Sequence, residues 1–86
     1  MKDLTKQSLN SFLINKYACF NSERFFLDEF DLKAGFVSIV CSSISDVCPI
    51  PLCRGIAKSI KKFLGAEAHR FSYIYVGAYA IKTDKI

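Results

Sequence analysis

Four cysteines are the residues of this chain whose type and spacing first suggest chemistry. Cys41, Cys48 and Cys53 follow one another as C-x6-C-x4-C, and Cys19 lies far upstream. Zinc sites favour cysteine pairs two to four residues apart, because a short knuckle must present both sulfurs to one ion. Only Cys48 and Cys53 reach the upper limit of that spacing, and His69 is the single histidine. The pattern predicts no metal site, and it favours buried free thiols.

Cys53 is the cysteine whose surroundings most favour reactivity. It lies near the expected N-terminus of a helix and beside Arg54, where positive potential stabilises a thiolate. It also lies on the apolar arc of that helix, and burial there would raise its pKa instead. A redox or metal role for the cysteines is therefore a third functional hypothesis.

Other catalytic patterns are missing from the sequence. It contains no phosphate loop, no dinucleotide fingerprint and no HExxH motif. A cysteine with His69 and an acid such as Asp46 can be drawn as a nucleophile system, but no family spacing supports it. We therefore predict a protein that is not an enzyme and needs no cofactor.

The stretch from Pro51 to Leu64 predicts an amphipathic helix with a basic stripe. At 100° per residue its apolar side chains fall in one arc. The opposite arc holds four cations, namely Arg54, Lys58, Lys61 and Lys62. Pro51 suits the first helical turn and Gly65 the position after the last. All of the net charge of +4 lies in the second half of the chain. The stripe is thus a candidate contact for phosphate or a protein partner, or a solvated face that keeps the domain in solution.

Residues 71–81 read as one long strand with an aromatic face. Its odd positions include Phe71, Tyr73, Tyr75 and Tyr79, whereas its even positions are small or aliphatic. The small face suits a helix, which leaves the aromatic face for a protein partner or a second copy of the chain. Stacking of nucleic-acid bases beside the basic helix is the alternative, with Gly77 allowing close approach.

The remaining segments complete a predicted α+β fold in one domain over residues 1–86. The expected order is helix, strand, strand, helix, strand, with both helices on one face of a small sheet. The first helix is expected from Asp3 to Ala18 with Asp3 as its cap. Residues 24–32 fit a strand or a helix, and the strand is preferred because residues 33–35 can form a hairpin loop. The last strand can run parallel through a crossover or return antiparallel, and residues 83–86 are expected to be a flexible tail.

Two features bear on location. Residues 34–53 are long enough to cross a membrane, but they contain Ser42, Ser43, Ser45, Pro49 and Pro51, which argue against stable insertion. The first ten residues, MKDLTKQSLN, lack the apolar core of a signal peptide. A cytoplasmic location with reduced cysteines is therefore expected.

Aromatic content leads to the functional prediction. Eight Phe and four Tyr in 86 residues are more than so small a core readily hides. We therefore predict a small regulatory protein, of the inhibitor or adaptor type, that forms a homodimer or docks on a larger protein. Nucleic-acid binding through the basic helix and the tyrosines is the alternative.

Overall fold

The structure is a computed structural model that describes residues 4–18, 20–41 and 50–86. Its elements follow in the order α1 (Lys6–Lys16), β1 (Phe25–Asp31), β2 (Phe36–Cys41), α2 (Ile50–Leu64), β3 (Tyr73–Val76) and β4 (Tyr79–Lys82). Short 3₁₀ segments, Gly65–Arg70 and Thr83–Lys85, follow α2 and β4. The predicted α+β arrangement, with helices packed against a small sheet, is confirmed.

The four strands form one mixed sheet in the order β1-β2-β3-β4. β1 and β2 are antiparallel, β2 and β3 are parallel, and β3 and β4 are antiparallel. The strand preferred for residues 24–32 is therefore confirmed. Because α2 connects two parallel neighbours, the crossover is also the correct choice for β3.

The loop between β1 and β2 lies at the position that the sequence predicted. The Gly35 N–H donates to the Asp31 carbonyl at 2.9 Å, and the Ala34 N–H donates to Asp31 Oδ1 at 3.1 Å. Gly35 has φ 70°, a left-handed conformation that side chains with a Cβ rarely adopt. The glycine therefore permits this turn, and the exposed Asp31 side chain adds one hydrogen bond to it.

The single strand expected over residues 71–81 is wrong, because the chain turns at Gly77. This residue has φ 61°, and its N–H donates to the Ile39 carbonyl at 2.9 Å. A Cβ added there would lie 2.8 Å from the Cys41 carbonyl oxygen. The group that approaches Gly77 closely is therefore the backbone of β2. The turn makes β3 and β4 a hairpin, so odd positions on the two strands face opposite sides of the sheet.

Helix α1 begins at a different cap from the one expected. The Thr5 side chain accepts from the Ser8 N–H at 3.1 Å, while Ser8 Oγ accepts from the Thr5 N–H at 3.0 Å. This reciprocal capping box fixes the start, and Asp3 lies outside the described residues. Lys6 Nζ donates to the Asp28 carbonyl at 2.9 Å, at the bulge between Leu27 and Glu29. This contact ties the first turn of α1 to β1.

Both helices cover the same face of the sheet and share one hydrophobic cluster. The Phe12 and Phe63 rings join α1 to α2 with their centroids 5.1 Å apart. The predicted apolar arc of α2 is buried except for Leu52, which is 39% exposed. The largest fully buried side chains are Phe71, Leu9, Leu13, Ile39, Ile56, Ile60, Ile74, Val37, Val76 and Cys53.

Within the described ranges, no helix is both long enough and apolar enough to cross a membrane.

Residues 83–86, expected to be a flexible tail, form a packed turn. The Thr83 hydroxyl donates to the Phe71 carbonyl, and the Thr83 N–H donates to the Ser72 carbonyl at 3.1 Å. Ile86 packs against the core. Lys61 Nζ donates to the main-chain oxygens of Thr83 and Ile86 at 2.8 and 2.7 Å. The segment is therefore anchored to β3 and α2.

Candidate functional site

The two described cysteines have different states, and neither is a reactive thiol. Cys53 is completely buried, and this burial raises the pKa of its thiol. Of the two expectations for Cys53, burial on the apolar side of the helix is the one that the structure shows, and a protonated, enclosed thiol is a poor nucleophile. Cys41 is disulfide-bonded, which contradicts the expectation of free cysteines throughout. Cys19 and Cys48 lie outside the described residues.

A thiol count tests this assignment. The chain has four cysteines, and one disulfide at Cys41 uses two of them. Two free thiols therefore remain. We expect a thiol-reactive dye to count two per chain when the protein is purified without reductant and unfolded in denaturant. Before unfolding, Cys53 should not react, because it is buried. A count of four without reductant would contradict the disulfide.

No cluster of metal ligands occurs in the part of the chain that the structure describes. No three His, Cys, Asp or Glu side chains come together there. The single histidine, His69, has Nδ1 at 2.6 Å from the carbonyl oxygen of Ala66, in its own 3₁₀ segment.

The face of the sheet opposite the helices, which we call the outer face, is the first candidate interaction surface. Strand pairing places the following residues on it: Phe26, Glu29, Asp31, Phe36, Ser38, Val40, Tyr73, Tyr75, Ala80 and Lys82. Among the described elements, no helix packs on this side. Leu27, Ile39, Ile74 and Val76 alternate with these residues and are buried on the inner face.

Three aromatic side chains form a cluster at the middle of the outer face. The Tyr75 ring lies between its neighbours, with its centroid 5.3 Å from that of Phe36 and 6.2 Å from that of Tyr73. Tyr73 is 37% exposed, whereas Phe36 and Tyr75 are half-buried. Such an apolar group on a sheet with no cover suits association.

Two residues of the predicted aromatic interface are not on this surface. Phe71 is completely buried, and its ring stacks on Phe30 with centroids 5.8 Å apart. Tyr79 pairs with Val76 and packs against the core, because the turn at Gly77 reverses the alternation. The exposed part of the predicted interface is therefore reduced to Tyr73 and Tyr75, and Phe36 is an addition that sequence reasoning missed.

Opposite charges lie at the two edges of the outer face. Asp31, on the edge strand β1, pairs with Phe36 of β2, and Glu29 pairs with Ser38. Lys82, on the other edge strand β4, pairs with Tyr73. All three charged side chains are exposed. The face thus has an acidic edge, an aromatic centre and a basic edge.

The basic stripe of α2 is the second candidate surface, and it faces away from the sheet. Arg54, Lys58 and Lys62 are exposed and follow one another at intervals of four residues. Like charges so spaced on a helix cost about 0.2–0.5 kcal/mol per pair. Lys61 differs from them, because it is half-buried and bound to the C-terminal segment. The accessible stripe therefore has three of its four predicted members.

The structure separates the two surfaces that the nucleic-acid hypothesis combined. The buried side of α2 packs on Ile74 and Val76, so its basic side points away from the sheet. Tyr73 and Tyr75 alternate with those residues and point to the opposite side. The same short segment of nucleic acid therefore cannot stack its bases on these tyrosines and contact the basic stripe with its phosphates.

The stripe borders a groove that the sequence did not reveal. The groove has a volume of about 540 Å³. Lys16 of α1 and Gly55 of α2 are among the residues that line it. Lys16 is far from the stripe in sequence, so helical periodicity alone could not find it. A glycine inside a helix indicates only a mild loss of helix stability when it is read from the sequence, so Gly55 gave no sign of the groove.

Comparison of the chain with protein-family models, with curated proteins and with solved structures found no match.

Proposed function

We propose that this protein is a small, non-catalytic interaction protein that works as a homodimer through its outer face. The observation that carries the proposal is the aromatic cluster at the centre of that face, bordered by charges of opposite sign. An exposed aromatic group with a polar rim is the arrangement that protein interfaces favour.

Charge complementarity favours a second copy of the chain as the occupant. Asp31 and Lys82 lie at opposite edges of the sheet, at the level of Phe36 and Tyr73. A two-fold axis parallel to the strands would place the acidic edge of one copy over the basic edge of the other. The same patch then serves both subunits, as a two-fold interface requires.

The size of the face sets the expected strength of the dimer. β3 and β4 each have four residues, so these strands are only about 13 Å long, and four strands are about 15–20 Å wide. This footprint is below the ~800 Å² per partner of a standard interface. We therefore expect a dissociation constant in the micromolar range.

A charge exchange across the interface tests the proposal. Asp31→Lys and Lys82→Asp are each expected to weaken the homodimer about tenfold, because each places two pairs of like charges at the rim. The double variant, and an equimolar mixture of the two single variants, should recover the wild-type dissociation constant. Sedimentation equilibrium measures all four samples.

The control for this exchange is Asp31→Asn, which keeps an Oδ1 acceptor for the Ala34 N–H and removes only the charge. It should weaken the dimer two- to threefold at most. If the mixture of single variants associates no better than either variant alone, the two edges do not meet and the proposed geometry fails.

The cytoplasmic location remains a prediction. The disulfide at Cys41 is more typical of proteins in oxidising compartments. The same thiol count, made on protein from its native host, distinguishes a reducing from an oxidising compartment.

A further inference from the structure

The groove beside α2 collects cations from distant parts of the chain. It lies between α2, the end of α1 and Ile86, and its lysines are Lys16, Lys58, Lys61 and Lys62. Ile86 contributes an apolar part of the lining. No Asp or Glu is among the described residues that line it. The groove therefore combines four positive charges with an apolar surface.

A smaller concavity of about 330 Å³ adjoins this groove. The two share Gly55, Lys58 and Ile86, and the smaller one adds Arg54 and Lys85. Six cationic side chains thus surround one region on the solvent side of α2. The summed positive potential of such a concave surface attracts anions.

Within the described ranges, no Asp or Glu side chain pairs with these cations. The ion pair recorded there joins Arg70 to Glu67, and neither residue lines the groove. Lys61 is bound to two main-chain oxygens, while Lys16, Lys58 and Lys62 are exposed. A bound anion would relieve the repulsion among them.

Gly55 gives the groove room for an organic group. A Cβ added at Gly55 would meet no atom within 4 Å, so the space above it is open. The volume of about 540 Å³ falls in the range of sites for small organic molecules. The lysines that flank this space suit phosphate, which lysine binds as a point charge.

We propose that this groove binds a small organic molecule that carries two or more linked phosphate groups. Lys58 and Lys62 are one helical turn apart, about 6 Å along the axis, so linked phosphates engage the lysines better than one phosphate ion does. The organic part lies over Gly55 and Ile86. The proposal is independent of the dimer, because the groove and the outer face are on opposite sides of the molecule.

Calorimetric titration with two probes tests the proposal. The probes are inorganic tripolyphosphate and adenosine triphosphate, at an ionic strength of about 50 mM to limit screening. We expect one saturable site per chain for each probe, with tighter binding of the nucleotide. The variant Lys58→Gln with Lys62→Gln should weaken both probes at least tenfold.

Two further variants locate the bound molecule. Gly55→Leu should weaken the nucleotide at least tenfold and tripolyphosphate less than threefold, because leucine fills the open space and leaves the lysines in place. Helix propensity favours leucine over glycine, so this variant should fold. The matched control is Arg24→Gln with Lys33→Gln, which removes the same charge from exposed positions outside the groove and should change either affinity less than twofold.

Three outcomes would overturn the proposal. The first is absence of binding by both probes at concentrations up to about 1 mM, the weak limit of useful affinity. The second is equal weakening in the control variant, which would indicate a diffuse charge effect. The third is binding of a single-stranded oligonucleotide or of anionic lipid vesicles without binding of either probe, which would assign the cations to a macromolecular partner.

Discussion

Gly35→Ala is expected to lower the free energy of unfolding by about 2–5 kcal/mol, through a left-handed conformation and a steric clash. Gly35 has φ 70°, and a Cβ there would lie 1.9 Å from the Arg70 carbonyl oxygen and 2.9 Å from its carbon. Both atoms belong to the backbone, so no side chain can rotate away. Because a domain of this kind has only about 5–15 kcal/mol of stability, urea denaturation should show a large fall in the midpoint.

Gly55→Ala is the matched control, and the opposite sign is expected. Gly55 lies inside α2, and an added Cβ meets nothing within 4 Å. Replacing a helical glycine by alanine stabilises by about 0.5–1 kcal/mol, so the urea midpoint should rise. If Gly35→Ala unfolds at the wild-type midpoint, the β1–β2 loop does not pack on the segment that ends at Arg70.

Tyr75→Glu is expected to weaken the proposed homodimer at least 100-fold. Tyr75 is at the centre of the outer face, where it contacts the rings of Phe36 and Tyr73. Truncation of a central aromatic residue often costs 2 kcal/mol or more of binding free energy. The introduced carboxylate would also lie near its symmetry mate, without a partner. Sedimentation velocity over a concentration series measures the change.

Ile14→Glu is the control for Tyr75→Glu. Ile14 is 40% exposed on α1, so this variant also places an acid at an exposed apolar position, but on the helical side of the molecule. The dimer should keep its wild-type dissociation constant. Circular dichroism should show that both variants are folded. Equal association of Tyr75→Glu and Ile14→Glu would exclude the outer face as the interface.

Local patterns were enough to predict α2 and β2. The 3.6-residue period of α2, with Pro51 near its start and Gly65 after its end, identifies the helix and most of its buried side. β2 is short and β-branched, and residues 33–35 indicate the loop before it. In these segments the chain carries its own start and stop signals, so no distant contact is needed to define them.

The β3–β4 hairpin could not be predicted in the same way. Its residues alternate without interruption across Gly77, and glycine inside a strand is also compatible with a continuous strand. The turn depends on contacts with Ile39 and Cys41 of β2, which are distant in sequence. That error placed Tyr79 on the wrong face. Phe36 was missed for another reason, because it joins the aromatic cluster through the pairing of β2 with β3, which is a contact between segments distant in sequence.

The candidate sites were predicted only in part for a similar reason. Periodicity placed Arg54, Lys58 and Lys62 correctly on the solvent side of α2. It could not show that Lys61 binds the backbone of residues 22 and 25 positions away. Likewise, the groove depends on the tertiary approach of α1 and the C-terminal segment to α2.

Solution mass tests the central claim, that the outer face joins two copies of the chain. Sedimentation equilibrium should be measured on the wild-type protein from low micromolar to about 500 µM, a range that includes the expected dissociation constant. We predict a rise from the chain mass of 9.7 kDa towards twice that value, with a modest loss of affinity in high salt as the rim charges are screened. A mass that stays at 9.7 kDa throughout would contradict the account.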